Sequence, residues 1–457
     1  MIKARLDGLY FLILGSMVFI LLGPVLANNS PGAMVDFRGQ YYPARCLIQH
    51  CDPYNEAEVI RISRAEGGDR PSDTANASHF ARYIYFPTAF SFTIPFAMLP
   101  WGPAHILWML LTLVSLIFAS FLIWNIGANS APTLAGVLVG FLVANSELLL
   151  VFGNMAGIAI SLCVVAVWCF FEERFVCVGI LCLAVSIALK PQDAGLIWLY
   201  FLLAGGVYRE RALQTLLATV AITGPVVLWV WRVSPNWMQE MHSNIVIFSG
   251  HGGLSDPDLM STGTIGIGMV ISLQTVTSVF SHNPRVYSLV SYLVCAPPLI
   301  LWAFVSLRTR PSPERAWLAL AAIAALSMLP VYHRQHDAKL LLLTIPACAM
   351  LWAEGGVVGR LAFLTNAAGF VVTGDLPGAI IFNLTRNLHF ATPGLSTRIA
   401  TSVQVFPAPL TLLAMGIFYL WVYARRSNVF PTTSIYPHKS MPASEISPLP
   451  GAQFLEP

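Results

Sequence analysis

The chain has 457 residues, of which 56% are hydrophobic and only 10% charged, against roughly 25% charged in soluble domains. That excludes an ordinary soluble domain, and a net charge of +3 spread over short segments points to neither nucleic acid nor an acidic partner. The composition predicts an all-α polytopic membrane protein in which the few charges set sidedness.

The first apolar run, Tyr10 to Ala27, follows Lys3 and Arg5 and has the length of one crossing, about 20 residues. Gly23 to Ala27 makes a poor signal-peptide cleavage site, so the run is expected to be a retained helix with its N-terminus in the cytoplasm. Residues 28–82 then form a polar outer loop, too polar for lipid and too long for a simple turn. Within it, Phe37, Tyr41, Ala44 and Leu47 recur at helical spacing, which predicts a short amphipathic helix on the membrane surface. Asp36 falls in its first turn, favoured by the helix dipole, and Arg38, Tyr42 and Arg45 lie on the other flank. Cys46 and Cys51 share this loop and pair only if it faces an oxidising space; the sequence leaves that open. The remaining six cysteines lie in apolar runs and read as small hydrophobes.

Further apolar runs lie at about 84–100, 103–126, 131–150, 155–171, 175–189, 192–207 and 213–232. If all crossed, the basic cluster Tyr208-Arg209-Glu210-Arg211 would face outward, against the positive-inside tendency. One run therefore stays on one side. The best candidate is 84–100, which is short and broken by Pro87, Pro95 and Pro100. With that change Gly153-Asn154 and Lys190-Pro191-Gln192-Asp193 fall outside, and Glu172-Glu173-Arg174 inside. Residues 233–262 make a second outer loop, and 263–280, with several Thr and Ser, are expected to be an interfacial helix. The runs 286–307 and 316–331 flank an inner cluster of Arg308, Arg310 and Arg315. They deliver the turn Tyr332-His333-Arg334-Gln335-His336-Asp337-Ala338-Lys339 to the outer face.

The last runs, about 340–353, 357–373 and 404–424, enclose an outer loop at 374–403 and end at Arg425-Arg426 inside. The total is about twelve crossings in a single domain, residues 1–426, with outer loops at 28–82, 233–285 and 374–403. The tail 427–457 is rich in Pro and Ser and is expected to be disordered cytoplasmic polypeptide. Both termini are thus cytoplasmic.

The outer elements converge on one chemistry. An acid that takes a proton from a hydroxyl, with Lys, Arg and His to hold a phosphate, is the set needed to displace a lipid phosphate from a sugar. Each residue also has a plainer role: Asp36 as a helix cap or partner of Arg38 or Arg45, Lys190 as a snorkelling lysine at a helix end, and His333, Arg334 and His336 as an ordinary polar turn. Asp36 and His333 without further ligands at defined spacing do not make a metal site, and neither metal nor cofactor is expected.

Asp36-Phe37 with Tyr41-Tyr42, Asp52-Pro53-Tyr54 close behind, Tyr85-Phe86-Pro87 before a proline-interrupted run, Leu189-Lys190-Pro191 and the late His turn together resemble glycosyltransferase family 87. The resemblance covers most of residues 30–345, in order. It implies a GT-C fold, here about twelve transmembrane helices with outer-face interfacial helices, in the plasma (inner) membrane with the active site on the outer, periplasmic face. It also implies a hexosyltransferase that moves a sugar, best known as mannose, from a polyprenyl-phosphate donor to a lipid or envelope-glycan acceptor with inversion. Asp36 maps onto the family's catalytic base, and the late His maps best onto His333, with His336 the competitor. Lys190, Arg334, Arg38, Tyr41, Tyr42, Asn154 and Arg82 complete the expected donor-phosphate and substrate set. Three positions depart from the pattern: Asn154 for a Gln, Thr88 for a second proline, and Cys51 for a glycine. These bear on substrate identity more than on the base. The competing class, a transporter or flippase of polyprenyl-linked lipids, calls for ionisable residues deep in the spans or inverted repeats. Neither stands out here.

Overall fold

The structure is a computed structural model that describes residues 2–30, 33–67, 80–253, 255–258, 270–385 and 394–427. Helix α1 (Ile2–Asn29) opens the chain, followed by α2 (Val35–Ile48), α3 (Glu56–Ala65), and a 3-10 turn (Pro87–Ala89) that runs into α4 (Phe90–Ala97). Then come α5 (Trp101–Gly127), α6 (Pro132–Ala144), α7 (Leu148–Phe152), α8 (Ala156–Phe171), α9 (Val176–Leu189), α10 (Pro191–Ala204) and α11 (Gly206–Val233). The remainder is α12 (Trp237–Ser249), α13 (Gln274–Ser278), α14 (Pro284–Arg308), α15 (Pro313–Leu326), a 3-10 segment (Gln335–Thr344), α16 (Ile345–Glu354), α17 (Gly356–Thr373), α18 (Asp375–Thr385), α19 (Leu395–Val405) and α20 (Pro407–Arg426). Helix starts follow the sequence closely: Pro132, Pro191, Pro284, Pro313 and Pro407 each open a helix, where the missing N–H would be unpaired in any case.

Among the described residues no strand forms, and one isolated antiparallel bridge joins Val270 to Arg334. Seven helical stretches are long and apolar enough to cross a membrane: α1, α5, α6 continued through α7, α11, α14, α17 and α20. The chain is a multi-pass, all-helical membrane protein. Several of the remaining apolar runs form helices of 10 to 16 residues, broken where the sequence places Pro, Gly or polar residues. That is shorter than the continuous runs suggested.

Whether 84–100 crosses is answered by helix direction. Gly8 of α1 packs on Pro132 and Gly136 of α6, Gly15 packs on Gly140, and Gly23 on Leu150. The two helices therefore run parallel. With α5 crossing between them, parallel α1 and α6 leave room for no further crossing. The 3-10 turn and α4 together span 87–97, about 16 Å of helix against a hydrocarbon core of about 30 Å. They pack on α2 instead, where Tyr41 and Arg45 donate to the carbonyls of Leu99 and Ala97.

Three sequence expectations need correction. Helix α2 is not buried on one face alone, as a simple surface amphipathic helix would be: Phe37, Tyr41, Ala44 and Leu47 are buried, but so are Gln40, Tyr42 and Cys46 on the other flank. The aromatic cluster around Trp101 and Trp108 covers it. The expected interfacial helix at 263–280 reduces, in its described part, to the single turn α13, whose Thr275 and Ser278 are buried; residues 259–269 lie outside the described residues. The segments expected as outer loops at 28–82 and 374–403 carry, besides the helix expected around Asp36, the helices α3, α18 and α19, which were not among the sequence expectations. The tail 428–457 lies outside the described residues.

Close approach of α1 and α6 depends on glycine. A Cβ on Gly15 would collide with the Gly140 backbone, and one on Gly136 with that of Gly8. Gly136 and Gly140 form the small-residue spacing that lets membrane helices touch. Gly140→Leu is therefore expected to destabilise the fold by at least about 1–3 kcal/mol, read as a lowered unfolding midpoint in detergent. Gly102→Ala, at an open position, is expected to leave the midpoint nearly unchanged.

Candidate active site

The charges sort to the two ends of the bundle. At one end Arg5 donates to Asn129 at 2.6 Å, Arg211 to the Phe170 carbonyl at 2.6 Å, and Arg426 to Glu354 at 2.8 Å. At the other, four breaks in helices meet around a cavity of about 450 Å³. Its polar wall includes Asp36, Tyr85, Asn154, Lys190, Arg334, His336 and Asp337, and its apolar wall Ile84, Phe86, Leu189, Ile245, Phe248 and Val331. Asp36 stands in the first turn of α2, Asn154 and Lys190 between consecutive helices, and His336 and Asp337 at the start of the 3-10 segment.

Asp36 is set by the start of α2. Met34 takes a left-handed conformation, with φ 61°, and its N–H donates to the Val151 carbonyl at 2.7 Å, so α2 begins against the break between α7 and α8. That break is Gly153-Asn154. Gly153 has φ +65°, and a Cβ there would stand 2.7 Å from that of Phe37, so only glycine fits without strain. Asn154 then accepts the Ala156 N–H on Oδ1 at 2.8 Å and donates from Nδ2 to Asp36 Oδ2 at 2.6 Å. The backbone contact fixes which way the amide points. One Asp36 oxygen is thereby held and the carboxylate remains on the cavity wall. Burial pushes its carboxyl above the ordinary 3.8, and the opposing pulls of Arg334, the Asn154 hydrogen bond and Lys190 offset only part of this.

Lys190 owes its position to Pro191, which bars the preceding residue from helix; its backbone is extended, at φ −149° and ψ 80°. Thr88 donates to the Ala188 carbonyl at 2.8 Å and pins the 87–89 turn to this break. A proline at 88 would make no such bond. The Lys190 ammonium is buried on Asp337 and lies 3.5 Å from Asp193. Asp337 also accepts the Arg334 backbone N–H at 2.8 Å, and His336 Nε2 lies 3.5 Å away. His336 Nδ1 is buried with no hydrogen-bond partner in a residue that lines the cavity. Arg334 faces Asp36 electrostatically and packs over Tyr332, 5.8 Å from the ring centre.

The structure thus brings Asp36, Asn154, Lys190, Arg334 and His336 to one cavity, and leaves other expected site residues off its wall. His333 is wholly buried behind it, with Nε2 3.3 Å from Asp193. Tyr41 donates to Leu99, Tyr42 stacks on Trp101, and the Arg38 guanidinium lies 5.5 Å above the same ring. Arg82 pairs with Glu56 at 2.9 Å. The Asp52-Pro53-Tyr54 motif is also architectural: Tyr54 donates to the Tyr85 carbonyl at 2.9 Å, and Cys51, in the place of a glycine, forms a disulfide with Cys46.

Sequence reasoning gave no role to Tyr85, Asp193 or Asp337. Asp193 carried a signal, as an acid inside the apolar run 192–207. Asp337 stood among other polar residues and carried none. Asp193, His333 and Asp337 offer ligand atoms within 4.8 Å of one another, but the Lys190 ammonium already supplies a cation to both carboxylates.

Removing that cation strands the buried Asp337 carboxylate. Lys190→Met is expected to lower stability by about 3–5 kcal/mol, measured by denaturant unfolding in detergent, and the double change Lys190→Met with Asp337→Asn to cost clearly less. Equal losses in the two variants would contradict the pairing.

Compared with known proteins, the chain matches the family model for glycosyltransferase family 87 over residues 83–332, more than half its length. No curated protein and no solved structure matches it.

Proposed function

Because the chain belongs to glycosyltransferase family 87, and is a membrane glycosyltransferase, we propose that it moves a hexose from a polyprenyl-phosphate donor to a lipid or envelope-glycan acceptor, with Asp36 as the base. Mannose is the first sugar to test. The observation that carries this reading is the amphipathic cavity. A carboxylate with one oxygen held by Asn154, and cations at Arg334 and Lys190, share a wall that faces apolar side chains suited to an isoprenoid tail.

In the reaction the acceptor hydroxyl gives its proton to Asp36 as its oxygen forms the bond to the anomeric carbon. The bond from that carbon to the donor phosphate oxygen breaks on the opposite face, and the phosphate leaves with the electron pair. Arg334 stabilises the charge that develops there; its guanidinium is a planar donor set suited to phosphate. Lys190 contributes mainly by holding Asp337 and adding to the field. His336 Nδ1 is available to a phosphate oxygen when protonated, or to a sugar hydroxyl when not. Inversion follows from a single displacement.

We place this chemistry on the outer face of the plasma membrane, in a GT-C-type domain over residues 1–426, with both termini cytoplasmic. Counting α6 with α7 as one crossing and the 335–344 segment with α16 as another gives twelve. This reading is supported by the Cys46–Cys51 disulfide, which lies in the segment that carries Asp36 and suits an oxidising space. The basic residues Arg5, Arg211 and Arg426 at the opposite end suit the cytoplasmic side. The buried ion pairs sit at one end of the bundle rather than at mid-span, which favours an enzyme over a transporter.

Asp36→Asn is expected to reduce transfer from a radiolabelled polyprenyl-phosphate hexose by about 10²- to 10⁴-fold, with donor binding retained; a variant as active as wild type would remove Asp36 from the role of base. The pH profile gives an independent check. A base must be deprotonated, and the Asp36 carboxyl is raised above 3.8, so activity should be full above the raised value and fall as pH drops through it. An acid limb at or below the ordinary carboxylate range would contradict this assignment.

A further inference from the structure

His333 is wholly buried, and both of its ring nitrogens face oxygen. Nδ1 lies 3.1 Å from the Val331 carbonyl, and Nε2 lies 3.3 Å from Asp193 Oδ1. A neutral imidazole carries one N–H, so it would set a lone pair against one of these acceptors. Turning the ring over would put C–H groups against both. Against an ionised Asp193, only the doubly protonated ring turns an N–H toward each oxygen, and at Nε2 the contact is an ion pair and not an aligned hydrogen bond.

The charge count leads to the same state. Around the His333 ring stand Lys190, from the break between α9 and α10, Asp193 of α10, and Asp337 of the 335–344 segment; Cys163 of α8 faces Asp193 from behind. With both carboxylates ionised and His333 neutral, one cation would face two anions, all of them at most 4% exposed. An uncompensated buried charge is among the costliest features a fold can carry.

We propose that His333 is a permanent imidazolium and a positioning residue for the cavity. By balancing Asp193 it leaves Lys190 to hold Asp337, and Asp337 to hold the Arg334 N–H and the His336 ring at the cavity wall. His333 itself touches no substrate. Burial alone would favour the neutral ring, but the close Asp193 carboxylate and the charge of Asp337 outweigh it, so the group is raised above its ordinary 6.5. The ionisation state is independent of the reaction proposed above; only its effect on turnover rests on that reading.

Two measurements test this. The first uses wild-type protein in nanodiscs with ¹⁵N-labelled histidine, the His333 signals being assigned with His333→Gln. Both ring nitrogens should carry protons from about pH 6 to about pH 8, where a free histidine would lose one. A neutral tautomer, or a metal-bound ring with stoichiometric zinc in the purified protein, would overturn the proposal. The second is a charge-rescue cycle on sugar transfer. His333→Gln should lower kcat by about tenfold or more, and adding Asp193→Asn should restore most of the loss, because the pair is then neutral again. A double variant no better than His333→Gln would mean that the ring acts by packing alone. Sugar transfer that fails in every variant and in wild type would remove the proposed function without touching the ¹⁵N result.

Discussion

Lys190 and Asp337 are 147 residues apart in sequence, and they meet with almost no water at either side chain. Neither would be stable there alone. Their contact ties the Pro191 break to the turn that carries Arg334 and His336, and so joins the first half of the chain to the second. Lys339 repeats the device a few residues on: it lies 3.0 Å from Asp375, whose other oxygen accepts the Leu148 N–H at 2.7 Å. The 335–344 segment is thus held by an ion pair to each side. A 3-10 segment has poorer hydrogen-bond geometry than α-helix, and these pairs supply part of what its backbone lacks.

Around that anchor the breaks in the helices do related work. Apolar helices satisfy their own backbone, which is why they can sit in hydrocarbon, and any interruption exposes groups that need other partners. Here the interruptions are gathered at one end and serve one another. The Met34 N–H is taken by Val151, the Ala188 carbonyl by Thr88, the Ala156 N–H by Asn154, and the Gly153 carbonyl by the Trp108 indole at 2.9 Å. The same interruptions bring polar side chains to the cavity. The cost of breaking helices and the gain of a reactive site come from the same residues.

Much of this was legible in the sequence, and what was missed has a physical pattern. Apolar length marked the long membrane helices, and parity together with shortness and three prolines pointed to 84–100 as the run that does not cross. Asn154 and Lys190 were visible because a polar residue next to Gly or Pro in an apolar chain has few reasons to be there, and Asp36 because it stands just past the end of the first apolar run. Partnership was not legible. Lys190 reads as a free cation until Asp337 is placed on it, and Tyr41 and Tyr42 read as site residues until Trp101 is placed between them and the solvent. The α1–α6 seam was missed for a related reason: Gly136 and Gly140 are ordinary in an apolar run, and only the partner helix gives them a role. Patterns along one chain report burial well; pairings between distant segments need the fold.

The Asn154 substitution can now be read more closely. A glutamine at this position would be one methylene longer and could reach into the cavity, whereas Asn154 is fully used at short range. Its oxygen is taken by Ala156 and its nitrogen by Asp36. The residue that departs from the family pattern therefore acts on Asp36 itself. An amide that donates to one Asp36 oxygen restricts how that carboxylate can turn. In this chain the shortened amide is a constraint on geometry before it is a constraint on substrate.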